Sequence, residues 1–437
     1  MTFLVSTLFI LEFLLICLIM FYILFKNGVT FKVGLSFGVL FFVFIPILVL
    51  IFTGSLEVSK VDFGKTLITD IILSDNIKAS LYLVLFIFSI IVYLYAPARY
   101  SKIQINNKFN PSIRSYLSIY TIGMIVIFVG SGLLEGGNWF QNRHDFFESS
   151  GSFAVLTAFI INSAKILIIA SLVYQWIKKE ISFLRFIIVV LIFTVLDMVF
   201  SGNRIYLFCT AILIGLLFLK KYPKKSLIIT PFAFPLILIL GYFASIFRHM
   251  RGPLFLKGLP TYDVFLASLK RAMVLEPPNP KAFFSGISES VNINVIFDVL
   301  NSFDSFLYGA TYLKAIVFYL PRSLWQTKPE SITIIAGYFL GGASLVVTII
   351  GEMYMNFYLL GFFLLPIFLW VLEGFLTKSL RNYGSIANIV GFFFGILFFR
   401  MPFSDEFLVF LFLVIILMFF NFFKKNIFLI LKKTNNE

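Results

Sequence analysis

Charge is scarce in this chain. Only 13% of its 437 residues are Asp, Glu, Lys or Arg, against roughly 25% in an ordinary soluble domain. Cysteine and histidine are scarcer, with two of each. Cys17 and Cys209 both fall inside apolar blocks, which excludes a disulfide framework, a CxxC redox pair and a Cys/His metal site. The sequence also lacks a Walker loop, a dinucleotide-binding glycine run, a HExxH helix and a nucleophile elbow. Asp62 and Asp70 form no DxD pair, so a metal-bound nucleotide-sugar donor is disfavoured. No metal and no cofactor is expected.

What is abundant is apolar. Hydrophobic residues make up 60% of the chain, and 59 are phenylalanine; the mean hydropathy is +0.99. They come in blocks separated by short polar punctuation. In lipid every backbone group must find its partner internally, so such blocks are helices. A crossing takes ~20 apolar residues for a core of ~30 Å. On that measure the fold class is an all-α integral membrane protein of about eleven transmembrane helices, at 3–25, 34–53, 79–96, 115–133, 151–176, 184–200, 205–220, 226–246, 354–377, 384–400 and 406–423. The first block has no basic leader and no small-residue cleavage site, so it is expected as a retained span. No fixed-period repeat and no soluble domain stand out, and 1–437 is expected as a single polytopic membrane domain.

The net charge of +14 has a topological reading rather than a nucleic-acid one. Lys26 and Lys32 follow the first span, and Arg99, Lys102, Lys108 and Arg114 the third. Lys178, Lys179 and Arg185 follow the fifth, and Lys220, Lys221, Lys224 and Lys225 the seventh. Lys378 and Arg381 follow the ninth, and Lys424, Lys425, Lys432 and Lys433 the last. These are alternate loops, and cytoplasmic loops collect lysine and arginine. The N-terminus is therefore expected outside and the C-terminus inside. The intervening loops are mixed or acidic, with Glu57, Asp62, Asp70, Asp75, Glu135, Asp145 and Glu148. Parity leaves residues 247–353 as a large outer loop, with soluble helices expected near 260–275 and 289–320. Its apolar stretch 331–351 is expected as a re-entrant or surface segment broken at Gly341-Gly342, because a crossing would reverse every later loop. Irregular backbone at membrane depth is tolerated where it lines a cavity.

Several basic residues gather on the expected outer face against the charge bias. Arg204 sits in the hairpin Ser201-Gly202-Asn203-Arg204. Arg248, His249 and Arg251 open the large loop. Arg322, Trp325 and Lys328 lie in Pro321–Pro329. Guanidinium groups bind phosphate oxygens bidentately, and a lipid-linked pyrophosphate lies at this depth. Surface snorkelling or internal ion pairing is the plainer explanation. Glu352, in Gly351-Glu352-Met353-Tyr354-Met355-Asn356, is either a general base for a hydroxyl or an ion-pair partner holding an arginine; His249 is a second candidate base. Arg143 and His144 form a weaker outer pair. Within the spans, Glu12 and Lys165 reach similar depths and are expected to pair or relay protons. Asp197 is expected to orient Arg204.

At these residues the sequence resembles the O-antigen or oligosaccharide repeat-unit polymerases (Wzy-type). The likeness is carried by the Ser201–Arg204 hairpin, by Arg248 and Arg251, by the stretch Pro321–Pro329, and by the glutamate, tyrosine and asparagine of 351–356 ahead of Gly361. The resemblance implies a metal-independent membrane glycosyltransferase with a GT-C-like fold in the bacterial inner membrane, its active site on the periplasmic face. It would join repeat units carried on undecaprenyl pyrophosphate, as donor and acceptor, into O-antigen or a related surface polysaccharide. Arg204, Arg248, Arg251, Arg322 and Lys328 would hold the pyrophosphate, and Glu352 or His249 would serve as base. Arg143, His144, Trp325, Tyr354 and Asn356 would contact glycan. Membrane lipid and a chain-length-regulating protein are the implied partners. An O-antigen ligase and a flippase of lipid-linked oligosaccharide are the rival readings.

Overall fold

The computed structural model describes residues 2–62, 65–97, 113–132, 142, 145–146, 151–201, 205–226, 239, 242–243, 246–247, 249–250, 253–254, 261–275, 290–318, 320, 324–339 and 347–434. Among them seven helical stretches are long and apolar enough to cross a membrane: Thr2–Asn27, Phe31–Thr53, Ser74–Tyr95, Ile113–Gly130, Phe153–Ile177, Leu360–Tyr383 and Phe403–Phe422. Their outward faces are as apolar as their inward ones. On Thr2–Asn27 (α1), Val5, Phe9, Ile16 and Ile23 are buried while Phe3, Leu11, Leu18 and Phe25 are exposed. A helix that is apolar all round, with one face uncovered, needs hydrocarbon as its solvent. The chain is a helical membrane protein.

The helix order continues as follows. Phe31–Val39 (α2) runs through a π-helical turn, Leu40–Phe44, into Ile45–Thr53 (α3). An antiparallel hairpin comes next, Ser55–Asp62 (β1) with Lys65–Ile72 (β2), in register from Ser55 opposite Ile72 to Asp62 opposite Lys65. It is a short two-stranded insertion in a chain whose described residues are mainly helical. Valine, isoleucine and threonine recur through 58–72, and β-branched side chains favour the pleated conformation. Then come Ile77–Tyr95 (α4), Ile113–Gly130 (α5), Gly151–Ile177 (α6), Phe183–Ser201 (α7) and Ile205–Lys221 (α8). Most of the expected span 226–246 lies outside the described residues. The large loop carries Tyr262–Leu275 (α9), Ser290–Ser302 (α10), Ala310–Ile316 (α11) and Ile332–Phe339 (α12). Ile349–Phe357 (α13), Leu360–Leu380 (α14), Ser385–Leu397 (α15) and Phe403–Thr434 (α16) complete the chain.

The centre of the bundle is the contact of α2 with α15. Glycines make it possible. A Cβ on Gly34 would stand 2.1 Å from the Phe392 carbonyl oxygen, and one on Gly395 would stand 2.4 Å from both Leu35 N and Phe31 O. Gly34 and Gly38 of α2 both meet Gly395 of α15, and small residues at such a crossing let two backbones touch. At thirteen residues α15 is about 20 Å long, too short to cross by itself. It is buried at every residue from Ile389 to Leu397.

Polar bolts mark one end of this bundle. Lys32, 1% exposed, donates from Nζ to the carbonyls of Tyr93 (3.1 Å), Leu94 (3.3 Å) and Ala96 (2.5 Å). A cation there satisfies the orphan carbonyls and the negative pole of α4. The Tyr93 hydroxyl donates to Glu373 Oε2 of α14 at 3.0 Å. Lys220 lies beside Gly28, its Nζ 2.7 Å from where a Cβ on that glycine would stand. The turns after α1, α4 and α8 and the second half of α14 therefore share an end. Lys32, expected as a loop charge, is an internal strut instead.

Two elements of the large loop differ from expectation. Helix α10, expected as a soluble helix, is buried at Asn292–Phe297, Val299 and Leu300. It packs against α3, α4 and α13, and Asn292 Nδ2 donates to the Phe399 carbonyl at 3.3 Å. The run Ile293, Val295, Ile296, Phe297, Val299 and Leu300 leaves no polar face wide enough for water. The expected span 354–377 divides at Tyr358, between α13 and α14. Of the segment 331–351, residues 332–339 form α12, 340–346 (with Gly341-Gly342) lie outside the described residues, and α13 begins at Ile349.

Candidate functional site

The start of helix α11 and the loop after it are held by residues that the sequence nominated for substrate chemistry. At its start, Glu352 Oε1 of α13 accepts the Thr311 hydroxyl at 2.8 Å. Asn356, one turn on, donates from Nδ2 to Thr311 Oγ1 and to the Glu352 carbonyl, each at 2.8 Å. Past its far end, Lys328 Nζ donates to the carbonyls of Phe318 (2.8 Å) and Leu320 (2.7 Å), closing the loop that follows the helix.

Glu352 also holds the last helix. Its Oε2 accepts the Phe403 N–H at 2.7 Å. The first amides of α16 have no intrahelical partner, and the positive pole there favours a carboxylate. Glu352 is fully buried and its helix lies outside the seven spans. Burial pushes its carboxyl up to about 7. The Phe403 and Thr311 hydrogen bonds pull the other way, Asp405 adds to the rise, and Lys314 of α11 opposes it. Both oxygens are thus occupied by protein donors. The arginines that the sequence nominated near it lie outside the described residues.

A second polar cluster lies inside the bundle. Lys165 Nζ of α6 meets Asp197 Oδ1 of α7 at 2.7 Å, with side chains 2% and 1% exposed. The Tyr120 hydroxyl donates to the same oxygen at 3.0 Å. Lys165 Nζ also stands 5.1 Å from the centroid of the Tyr206 ring. The expected pairing of Lys165 with Glu12 is corrected: Lys165 pairs with Asp197, and Glu12 Oε2 is a buried oxygen without a hydrogen-bond partner. Counting residues from helix ends matches depth only. The azimuth is set by packing, and α1 packs on α4 and α2 while α7 packs on α6. Asp197 therefore serves an ion pair one turn before Ser201, the last residue of α7, and Arg204, which it was expected to orient, lies outside the described residues.

The remaining nominated residues fall as follows. Trp325 is half-buried and donates from Nε1 to Thr327 Oγ1 at 2.9 Å. Tyr354 is buried in an aromatic cluster, 5.2 Å from the Tyr358 ring and 6.3 Å from Phe306. His249 is half-buried beside Met250, which packs with Tyr242, Ile246 and Ala272 of α9. Arg143, His144, Arg204, Arg248, Arg251 and Arg322 lie outside the described residues. Sequence reading missed Thr311, the hub between Glu352 and Asn356; a lone threonine in a mixed loop carries no signal. The spacing of Glu352 and Asn356, four apart, was the available hint that both face one partner. Among the described residues no cluster of His, Cys, Asp and Glu has the makings of a metal site.

No family model matches the chain, and no curated protein or solved structure matches it at a significant level.

Proposed function

We propose that the protein polymerises glycan repeat units carried on undecaprenyl pyrophosphate, at the outer face of a bacterial inner membrane, with a GT-C-like arrangement of spans. The observation that carries this reading is the anchoring of α11 on α13. Thr311 is held there by Glu352 and Asn356, and Lys328 closes the loop after α11, the segment whose sequence carries Arg322. With Arg204, Arg248 and Arg251, that arginine would supply the fixed positive charge that pyrophosphate departure needs without a metal. In the reaction the acceptor hydroxyl oxygen bonds to the donor's anomeric carbon. The bond from that carbon to the pyrophosphate oxygen breaks, and the hydroxyl proton passes to a base. With Glu352 engaged by Thr311 and Phe403, His249 is the residue left for that role. Orientation, partners and the polysaccharide product belong to this proposal as well.

A transporter of lipid-linked oligosaccharide is the second reading, favoured by the Lys165–Asp197 pair inside the spans, since intramembrane charges mark substrate or proton paths. A ligase differs from the polymerase only in its acceptor.

The test is purified protein in lipid given only undecaprenyl-pyrophosphate-linked repeat units, without nucleotide or metal. A ladder of longer glycans on the lipid supports the polymerase, and Arg204→Ala and Arg248→Ala should abolish it while leaving the protein folded. Transfer only after lipid A is added points to the ligase. No transfer to any acceptor by folded protein sinks both enzyme readings and leaves the transporter.

A further inference from the structure

Three non-glycine residues among those described have a positive φ, and two are tyrosines at one junction: Tyr308 (φ 48°) and Tyr358 (φ 52°). Bulky side chains rarely adopt this backbone, and glycine is the residue that does so without strain. The chain uses glycine at the adjacent position, Gly309 (φ 83°). Tyr358 ends α13 with ψ −138°, where a helix exit ordinarily carries glycine. Neither residue is buried to compensate, although one side of the Tyr358 ring packs on Phe306 and Tyr354. Tyr308 is 87% exposed and Tyr358 is 38% exposed.

The surroundings hold both residues in place. Leu307 N donates to the Met355 carbonyl at 2.9 Å, tying the 303–309 turn to α13. The Thr311–Asn356–Glu352 hydrogen bonds fix the next turn of α11. Tyr358 N donates back to the Tyr354 carbonyl at 2.7 Å. Strained backbone persists where its surroundings over-determine it, and such positions concentrate at binding sites. The exposed Tyr358 ring is backed by Phe306 at 4.8 Å and Tyr82 at 6.5 Å. The same turn displays Asp304 and Ser305, whose Oγ donates to Asp304 Oδ1 at 3.1 Å.

An exposed aromatic face bearing a hydroxyl, on a turn that also displays a carboxylate, suits a ligand with a flat apolar face and a rim of hydroxyls. A pyranose ring has that form. We propose that Tyr308 and Tyr358 are sugar-stacking residues of a glycan subsite built on the α11–α13 junction. This rests on the glycan-polymerase reading and specifies where that reaction's sugars are held. Tyr354, nominated from sequence, is the buried support of the subsite rather than its surface.

The experiment uses the full chain in lipid nanodiscs. The probe is the water-soluble repeat-unit oligosaccharide freed by mild acid from the lipid-linked intermediates of the native host. Tyr308→Gly and Tyr358→Gly should each raise its Kd at least about tenfold, the scale of one lost aromatic contact. Tyr308→Gly should not lower the thermal midpoint, because glycine relieves the left-handed backbone; Tyr358→Gly also loses the ring contacts with Phe306 and Tyr354, so a fall in its midpoint is expected. Tyr308→Phe and Tyr358→Phe, which keep the ring, should stay within about threefold. Should a glycine variant prove unstable, Tyr308→Asn and Tyr358→Asn take its place, asparagine being tolerated at positive φ. Wild-type affinity in the ringless variants overturns the proposal. So does an altered behaviour in lipid with oligosaccharide binding intact, which would make the tyrosines interfacial anchors. A wild type that extends lipid-linked units but does not bind the free oligosaccharide overturns this inference and leaves the polymerase standing. A wild type that does neither removes the polymerase and this inference together.

Discussion

Lys165 and Asp197 meet at 2.7 Å inside the bundle, and Tyr120 adds a hydrogen bond to the same carboxylate oxygen. Two helices that are adjacent in sequence, α6 and α7, are thereby joined by opposite charges taken out of water. Removing one partner leaves the other uncompensated, which costs about 3–5 kcal/mol, whereas replacing both with apolar groups is often neutral. Lys165→Met should therefore destabilise the protein strongly, and Lys165→Met with Asp197→Leu should recover most of the loss. Thermal unfolding of the singles and the double in one detergent gives the coupling. Additive effects of the two substitutions would show that the pair does not act as a unit.

The α2–α15 contact admits no side chain. At Gly34 a methyl group would meet the backbone oxygen of Phe392 at 2.1 Å, and backbone cannot turn aside as a flexible side chain can. Gly34→Ala should lower stability by about 1–3 kcal/mol or more. Gly215 of α8 is the control, with nothing within 4 Å of its added Cβ; Gly215→Ala should stabilise by about 0.5–1 kcal/mol. Chemical or thermal unfolding of the two variants side by side checks the opposite signs.

Glu352 makes a pH signature. Its folded carboxyl is raised from 4.5 to about 7 by burial, so between those values the folded state holds a proton that the unfolded chain has released. Stability should fall as pH rises through that window, with the full penalty present above about 7. The penalty is about 3 kcal/mol by linkage from the size of the rise. Asp405, Glu406 and Lys314 adjoin Glu352, so the comparison with Glu352→Gln isolates its share. The variant's stability should vary less between pH 4.5 and 7 than that of wild type. Parallel curves would place the titration elsewhere.

The sidedness expected for residues 247–353 can be tested at α12. In a background where Cys17 and Cys209 are replaced, Tyr338→Cys should label as outward-accessible or as buried in the membrane. Labelling by an impermeant maleimide from the cytoplasmic side alone would mean that 331–351 crosses, and the parity from which the outer loop was deduced would be wrong.

Much of this fold was legible because lipid enforces a simple rule. Apolar blocks of about twenty residues must be helices, so α1, α4, α5, α6 and α16 lie close to where hydropathy places them. Helix α9 was legible as well, from its mixed face. Hydropathy along the chain could not reveal that α10 is buried among other helices, that α13 ends at Tyr358, or that α15 is a short internal helix. Each depends on which surface the helix meets, and that surface comes from residues far away in sequence.

The site divides in the same way. Composition and spacing alone determined that the protein lives in a membrane, and singled out Glu352, Asn356 and Lys328 as polar residues of the expected outer face. Their partners were decided by tertiary structure. Glu352 reaches Thr311 across forty-one positions and Phe403 across fifty-one, and Lys165 finds Asp197 rather than Glu12. A residue count sets depth along a helix axis to within a turn. Which neighbour a side chain meets depends on helix rotation and lateral packing, and these are chosen by the best fit of all the apolar faces together.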